Sequence, residues 1–465
     1  MDAPANNIHT RAIAEFVSGL SYEQIPAEVR ERIKLLILDS LGCAIYGANL
    51  EWCRILRDTL EELDATRTTS IWGTSRRLSS PHAALVNGTQ VQGFELDDVH
   101  RTAVLHVGAV TLPPLIAVAE SHANLSGRDL LTAAVAGYEI GPRVGLCMGQ
   151  EHIGQGWHSG ATVGVFSAVA GAARALSLSA DAAVHALGIA GTQSSGLMAA
   201  QYGAMVKRMH AGRAAQSGLY AALLARQNFT GIVDVFEAPY GGFCTTFSRS
   251  QDRFDLAQLS AGLGARFETM RISLKFYSCV GSNHTTLDAV RDIRSRRPFA
   301  LGDIDRIVVH ASQVTLDHAG WPYKPAGLTA AQLNLPFCVA TLLIEGDVFV
   351  DEFTPDCVAD PARIALADKV QVVHDPAITA LGAAHRHKVR VEVRLRDGSV
   401  ESETREAPRG SEQVFAGTDD IVAKFRKLTR GVMPETQQDA LIDAVLGLDK
   451  LAESRTLIGL LQLRV

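Results

Sequence analysis

Three things are scarce in this sequence: paired cysteines, basic runs and long uncharged apolar stretches. The seven cysteines (43, 53, 147, 244, 279, 338 and 357) are odd in number and form no CxxC pair. That pattern argues against a thiolate-built zinc site and suits a reducing compartment, so a cytoplasmic location is expected. Lys and Arg number 44 against 50 Asp and Glu, a formal charge of −6, and no basic run stands out. A nucleic-acid partner, which would call for a basic face, is therefore not expected. The opening MDAPANNIHTRAIAEF lacks a basic segment followed by an apolar one, so no secretory signal is expected. No stretch has the length of a membrane span; the nearest approach, Ala103 to Ala119, contains His106 and the Pro113-Pro114 pair. No GxGxxG lies between a strand and a helix, and no internal repeat or low-complexity segment is present.

What is there reads as a soluble globular protein of two domains. Hydrophobic residues make up 47% and charged residues 20% of 465 residues, a chain too long for one ordinary core. The fold expected is α+β and predominantly helical: a large all-α domain (1–270 plus 411–465) and a smaller α+β lid domain (271–410). Helical spacing is read for 83–94, 109–123, 129–148, 161–173 and 180–191. Pro113-Pro114 is expected in the first turn of its helix, where a missing N–H matters least. Strands are expected at Arg306–His310 and Lys388–Arg396, the latter alternating strictly in KVRVEVRLR. Asp397-Gly398 then turns the chain into 399–405. Helices 328–345 and 377–383 are expected to cover that sheet, and helices at 421–427, 438–446 and 451–463 to return to the first domain.

The chemistry-bearing residues fall in four islands. NGTQVQGFELDDVHRTAVLHVG sets Glu95, Asp97, Asp98, His100 and His106 between apolar flanks, and burying such groups is costly unless they are paired or used. GQEHIGQGWHSGATVGVF places His158 at a helix start, a favourable place for anions. In KRMHAGRAAQSG, Lys207, Arg208, His210 and Arg213 lie within seven residues, a cationic knot suited to carboxylates. LKFYSCVGSNH carries Lys275, Cys279 and His284. The plain alternatives are a polar interhelical loop, a helix-start histidine bonded to backbone, and a solvated charged face.

These four blocks, in this order, resemble the MmgE/PrpD family, which includes 2-methylcitrate dehydratase, cis-aconitate decarboxylase and iminodisuccinate epimerase. The resemblance covers nearly the whole chain. It implies a homodimer, a cleft site between the domains, and chemistry on a small di- or tricarboxylate without metal or cofactor. Carried over by motif, it places Asp97, Asp98, His106, His158, Lys207 and Lys275 in the catalytic site, with His284 a looser match. Arg208, Arg213, His210 and Glu95 join His284 as expected substrate-binding residues. Departures from the family pattern are Glu95 for aspartate, Val99 for threonine, Val107 for proline and Phe337 for tyrosine.

The shared step is removal or return of a proton on carbon beside a carboxylate, which needs a positioned base and cations for the developing charge. His106 and His158 are the expected acid–base pair. The leading expectation is a hydro-lyase of the 2-methylcitrate dehydratase type, with an epimerase or decarboxylase as the alternative. Two other classes compete. One is a metal-dependent lyase built on Asp97, Asp98, His100 and His106; the other is a non-catalytic anion-binding protein.

Overall fold

The computed structural model describes residues 7–149 and 151–463. It is a predominantly helical α+β protein with two large buried cores and, among the described residues, a small third cluster around Leu60, Ile71, Leu78 and Val86. The first draws its side chains from residues 13–274 and 416–461. The second lies mostly between Tyr277 and Leu395, and Cys43, Phe94, Leu96 and Leu428 enter it from the first region. Among the described residues, no single helix is long and apolar enough to cross a membrane.

The first core is a pack of helices, among them Ala27–Gly47, Ser80–Val91, Val107–Ser121, Gly127–Met148, Gly164–Ala175 and Val206–Arg226. Small residues set how closely they approach. A Cβ on Gly88 would lie 2.7 Å from the Gly212 Cα, and one on Gly212 would lie 2.1 Å from the Leu85 carbonyl oxygen. The 80–91 and 206–226 helices therefore cross backbone against backbone, a contact only glycine permits. This crossing fixes the start of the second helix, with Lys207 and Arg208, against the loop that follows the first.

The expected prolines sit elsewhere than foreseen. The helix begins at Val107, so Pro113 and Pro114 are interior residues rather than first-turn ones. Their missing N–H groups leave the Ala109 and Val110 carbonyls without intrahelical donors. The helix survives because its residues 107–119 are all buried, and packing outweighs the lost bonds.

In the second core, four strands run in the order 370–374, 304–311, 389–395, 400–405. Ile304–Ala311 pairs antiparallel with Val389–Leu395, Val309 opposite Val391, and parallel with Val370–His374. The 389–395 and 400–405 strands form the expected hairpin. Val389, Val391 and Val393 are fully buried, while the charged residues between them face outward, the signature of a sheet covered on one side.

The expected cover is present in part. Gly281–Arg296 packs against the 389–395 and 400–405 strands and Leu335–Glu345 against 370–374, whereas Pro376–Ala380 is a short helix that packs on Gln313–Ala319 instead. The expected 328–345 helix is broken at Asn334, whose side-chain oxygen accepts the Phe337 N–H at 2.8 Å and caps a new helix. Of the expected 451–463 helix only Arg455–Gly459 is helical.

Candidate active site

The two cores meet around Glu95. Phe94 and Leu96, on either side, are buried in the second core. The Phe94 carbonyl accepts from Ser278 Oγ at 2.9 Å and Gln332 Nε2 at 3.2 Å, and the Leu96 carbonyl accepts from Lys424 Nζ at 2.6 Å. With both neighbours pinned, Glu95 is held at φ 58°, a left-handed conformation that costs a non-glycine residue about 1–2 kcal/mol.

That strain aims one carboxylate at three cations. Lys207 Nζ and Arg208 Nη1 each lie 2.5 Å from Glu95 Oε1, and Lys275 Nζ lies 3.1 Å from Oε2. Burial alone would raise the Glu95 carboxyl, but Lys207, Lys275 and Arg208 override it and hold it well below the usual range. The two lysines differ. Burial, with Arg208 and Lys275 nearby, lowers the Lys207 ammonium. Burial works against Lys275 too, but Glu95 and Asp97 outweigh it and keep that ammonium raised. Asp97, which also acts on Lys275, is paired with His106, so three cations in contact with one carboxylate leave two positive charges over. Glu95 is thus the hub that assembles the cations, and a second anion is what they lack.

Two imidazoles adjoin this cluster. His106 immediately precedes the Val107–Ser121 helix, and its Nδ1 lies 2.8 Å from Asp97 Oδ2. A carboxylate can only accept, so Nδ1 carries the hydrogen and Nε2 is the nitrogen free for proton transfer. The His106 side chain is 13% exposed and Asp97 is fully buried. His158, the residue before the short Ser159–Thr162 helix, has Nδ1 3.2 Å from His210 Nδ1. Burial, then Lys207, His210 and His106, push its pKa well below the ordinary imidazole value, so His158 is neutral at pH 7.

Asp98 has a different job. Its carboxylate accepts the Gly108 N–H at 2.8 Å and the Tyr138 hydroxyl at 2.7 Å. Burial nevertheless raises it to about 7. It anchors the first turn of the 107–121 helix and so sets where His106 stands.

Other expected residues do not join the cluster. Arg213 is exposed and bonds Gln216 on its own helix, turned away from Lys207 and Arg208. His284 is buried, with Nε2 3.2 Å from the Cys279 carbonyl; burial, then Lys275, lower it to about 3. His210 contacts His158 rather than a carboxylate. His100 spends Nε2 on Glu268 at 3.1 Å, and its Nδ1 accepts the Ala103 N–H at 3.0 Å. The four donors of the metal reading therefore do not converge; among the described residues no group of three or more such side chains is placed to hold an ion. Phe337 packs against Tyr323, ring centroids 4.6 Å apart, inside the second core.

Comparison with known proteins bears on what this arrangement is. The MmgE/PrpD N-terminal domain matches residues 11–255, and the MmgE/PrpD C-terminal domain matches residues 277–450. The chain belongs to the MmgE/PrpD family. Among its relatives is the cis-aconitate decarboxylase-like protein oryM of Aspergillus oryzae, 35% identical over 98% of each chain. The cis-aconitate decarboxylase of Aspergillus terreus is 32% identical, covering 99% of this chain and 97% of its own. The mitochondrial 2-methylcitrate dehydratase of Yarrowia lipolytica is 21% identical over 93% of this chain and 86% of its own.

Four supporting residues of this MmgE/PrpD site escaped the sequence reading. Gln332 accepts from Arg208 at 3.1 Å while donating to the Phe94 carbonyl. Lys424 pairs with Asp39 at 2.6 Å beneath the acidic loop. Tyr138 holds Asp98. Of these, only Lys424 left a signal, as a lone lysine on the apolar face of its helix, where a buried ammonium requires a partner.

Proposed function

We propose that this protein is a carboxy-lyase acting on an unsaturated tricarboxylate of the cis-aconitate type. The observation that carries the reading is the charge count around Glu95: three buried cations share one carboxylate. Two substrate carboxylates balance the two charges left over. The third then lies toward His158, whose depressed pKa keeps it neutral. A carboxylate held in a buried place without a counter-charge is destabilised, and it is relieved by leaving as neutral CO₂.

In the step proposed, the electrons of the breaking C–CO₂ bond form a new carbon–carbon double bond. Those of the old double bond take a proton at the far carbon from Nε2–H of His106. The products are CO₂ and an unsaturated dicarboxylate one carbon shorter, with one proton consumed. Asp97 keeps the His106 ring oriented, while Lys207, Arg208 and Lys275 hold the carboxylates that stay. The relatives named for cis-aconitate, at 32% and 35% identity across nearly the whole chain, support this choice.

A dehydratase is the second reading. It is favoured by the pairing of a neutral imidazole (His158, as base) with a carboxylate-anchored one (His106, as acid). The test is direct: purified protein is given cis-aconitate and 2-methylcitrate in parallel, and released CO₂ and water loss are followed separately. CO₂ from the first supports the carboxy-lyase. Water loss from the second without CO₂ from the first overturns it.

The proposed assembly is a homodimer. Exposed apolar side chains at Leu197, Met205, Val206, Tyr220 and Leu224 support a covering partner, and light scattering at micromolar concentration tests it. Seven free cysteines support placement in the reducing cytoplasm.

A further inference from the structure

Gln92 is the first residue past the Ser80–Val91 helix and stands three positions before Glu95. Its side chain is fully buried. Among the described residues, no protein group hydrogen-bonds either its Nε2 or its Oε1. Gln90, two positions earlier, leaves only its Oε1 without a partner: its Nε2 reaches the carbonyls of Trp72 at 2.9 Å and Ala44 at 3.3 Å. A buried amide with both ends unpaired lowers stability and calls for an explanation.

Its surroundings supply one. A Cβ built on Gly160 would lie 3.1 Å from His158 Cε1, 3.3 Å from His158 Nδ1 and 4.0 Å from Gln92 Nε2. The Gln92 amide and the His158 ring therefore border the same small space, kept open by a glycine.

We propose that Gln92 is a substrate-contacting specificity residue, its amide N–H donating to the substrate carboxylate on the His158 side. This rests on the polycarboxylate reading above and sharpens it. A neutral donor fixes the direction of that carboxylate without supplying the positive charge that would stabilise it. The group destined to leave is thus oriented by an amide, and the groups that stay are held by ammonium and guanidinium. The carboxylate in turn satisfies a donor that the fold leaves unpaired.

Gln92→Met and Gln92→Glu test this, with wild type alongside. Methionine keeps the length and removes both polar atoms, so the melting temperature of the ligand-free protein is expected to hold or rise. Its KM for cis-aconitate is expected to rise about tenfold, the loss of one hydrogen bond to a charged group. The thermal shift given by tricarballylate, a saturated tricarboxylate with no double bond to protonate, is expected to shrink in parallel. Glutamate sets a like charge against the substrate, so its KM rises further and recovers as pH is lowered and the new carboxyl protonates. A Gln92→Met protein with wild-type KM and a wild-type tricarballylate shift would overturn the role of Gln92 and leave the polycarboxylate reading standing. So would a ligand-free Gln92→Met protein that melts lower, because an unpaired amide has no bond to lose. Wild type that responds to neither tricarballylate, citrate nor cis-aconitate would overturn both.

Discussion

Replacing Glu95 with glutamine keeps the shape of the hub and removes its charge, leaving Lys207, Arg208 and Lys275 around a neutral amide. All three cationic side chains are 10% exposed or less, so water recovers little of the loss. Breaking a buried ion pair from one side costs about 3–5 kcal/mol. Part of that is relieved by Lys207, whose ammonium is already lowered by burial and gives up its proton most readily, so about 3 kcal/mol is expected at pH 7. The sign follows from linkage. The Glu95 carboxyl is depressed in the fold, so its contribution is fully present above the ordinary carboxylate range and is lost only as pH falls through the depressed value. The gap between wild type and Glu95→Gln is therefore full at neutral pH and narrows only in strong acid. Urea denaturation at pH 7 in 0.1 M and 0.5 M NaCl measures it, and the buried location predicts little change between the two salts. A polycarboxylate at ~100 times its Kd contributes about 3 kcal/mol and should restore most of the variant's stability. A Glu95→Gln protein as stable as wild type without ligand would refute the claim that one carboxylate assembles these cations.

Three further outcomes follow from the same geometry. Asp97→Asn replaces an acceptor-only carboxylate with an amide whose NH₂ can donate to His106 Nδ1 and favour the wrong tautomer, so kcat should fall ~10²–10⁴-fold with little change in KM; steady-state kinetics on cis-aconitate decide it. The Asp98 carboxyl is raised by burial to about 7, so the fold binds a proton that the unfolded chain does not between about pH 4 and 7. Wild-type stability, measured relative to Asp98→Asn, should then drop by about 1 kcal/mol per pH unit as pH rises to 7, and level off above it. Arg213→Ala should change neither KM nor kcat and shift stability by less than ~0.5 kcal/mol, since the side chain is exposed and turned from the cluster.

How much of this was legible in the sequence depended on whether a residue's role is local. KVRVEVRLR and its Asp-Gly turn gave a strand and hairpin because alternation and turn chemistry are properties of adjacent residues. The Val370–His374 strand was not legible: it pairs in parallel with a segment some sixty positions earlier, and its five residues carry no turn signal. The cationic knot was read as one patch. Arg208 and Arg213, however, lie five residues apart on a helix, about 140° around its axis, and only one of them can face Glu95. Glu95 itself was grouped with the substrate-binding residues, yet a carboxylate among three cations organises them instead. The motif blocks brought Lys207 and Lys275 to attention. The Gly88–Gly212 crossing that seats Lys207 on Glu95 is a tertiary fact that no single stretch of sequence displays.

The central claim is that His106, anchored by Asp97 and set beside cations sharing Glu95, hands a proton to carbon as a carboxylate departs. Turnover of cis-aconitate in D₂O, by wild type and by His106→Ala, tests it most directly, with CO₂ and product deuterium counted together. The account predicts one solvent deuterium on carbon for each CO₂ released by wild type, and a rate ~10²–10⁴-fold lower in the variant. CO₂ release by His106→Ala at the wild-type rate, or product free of deuterium, would contradict it.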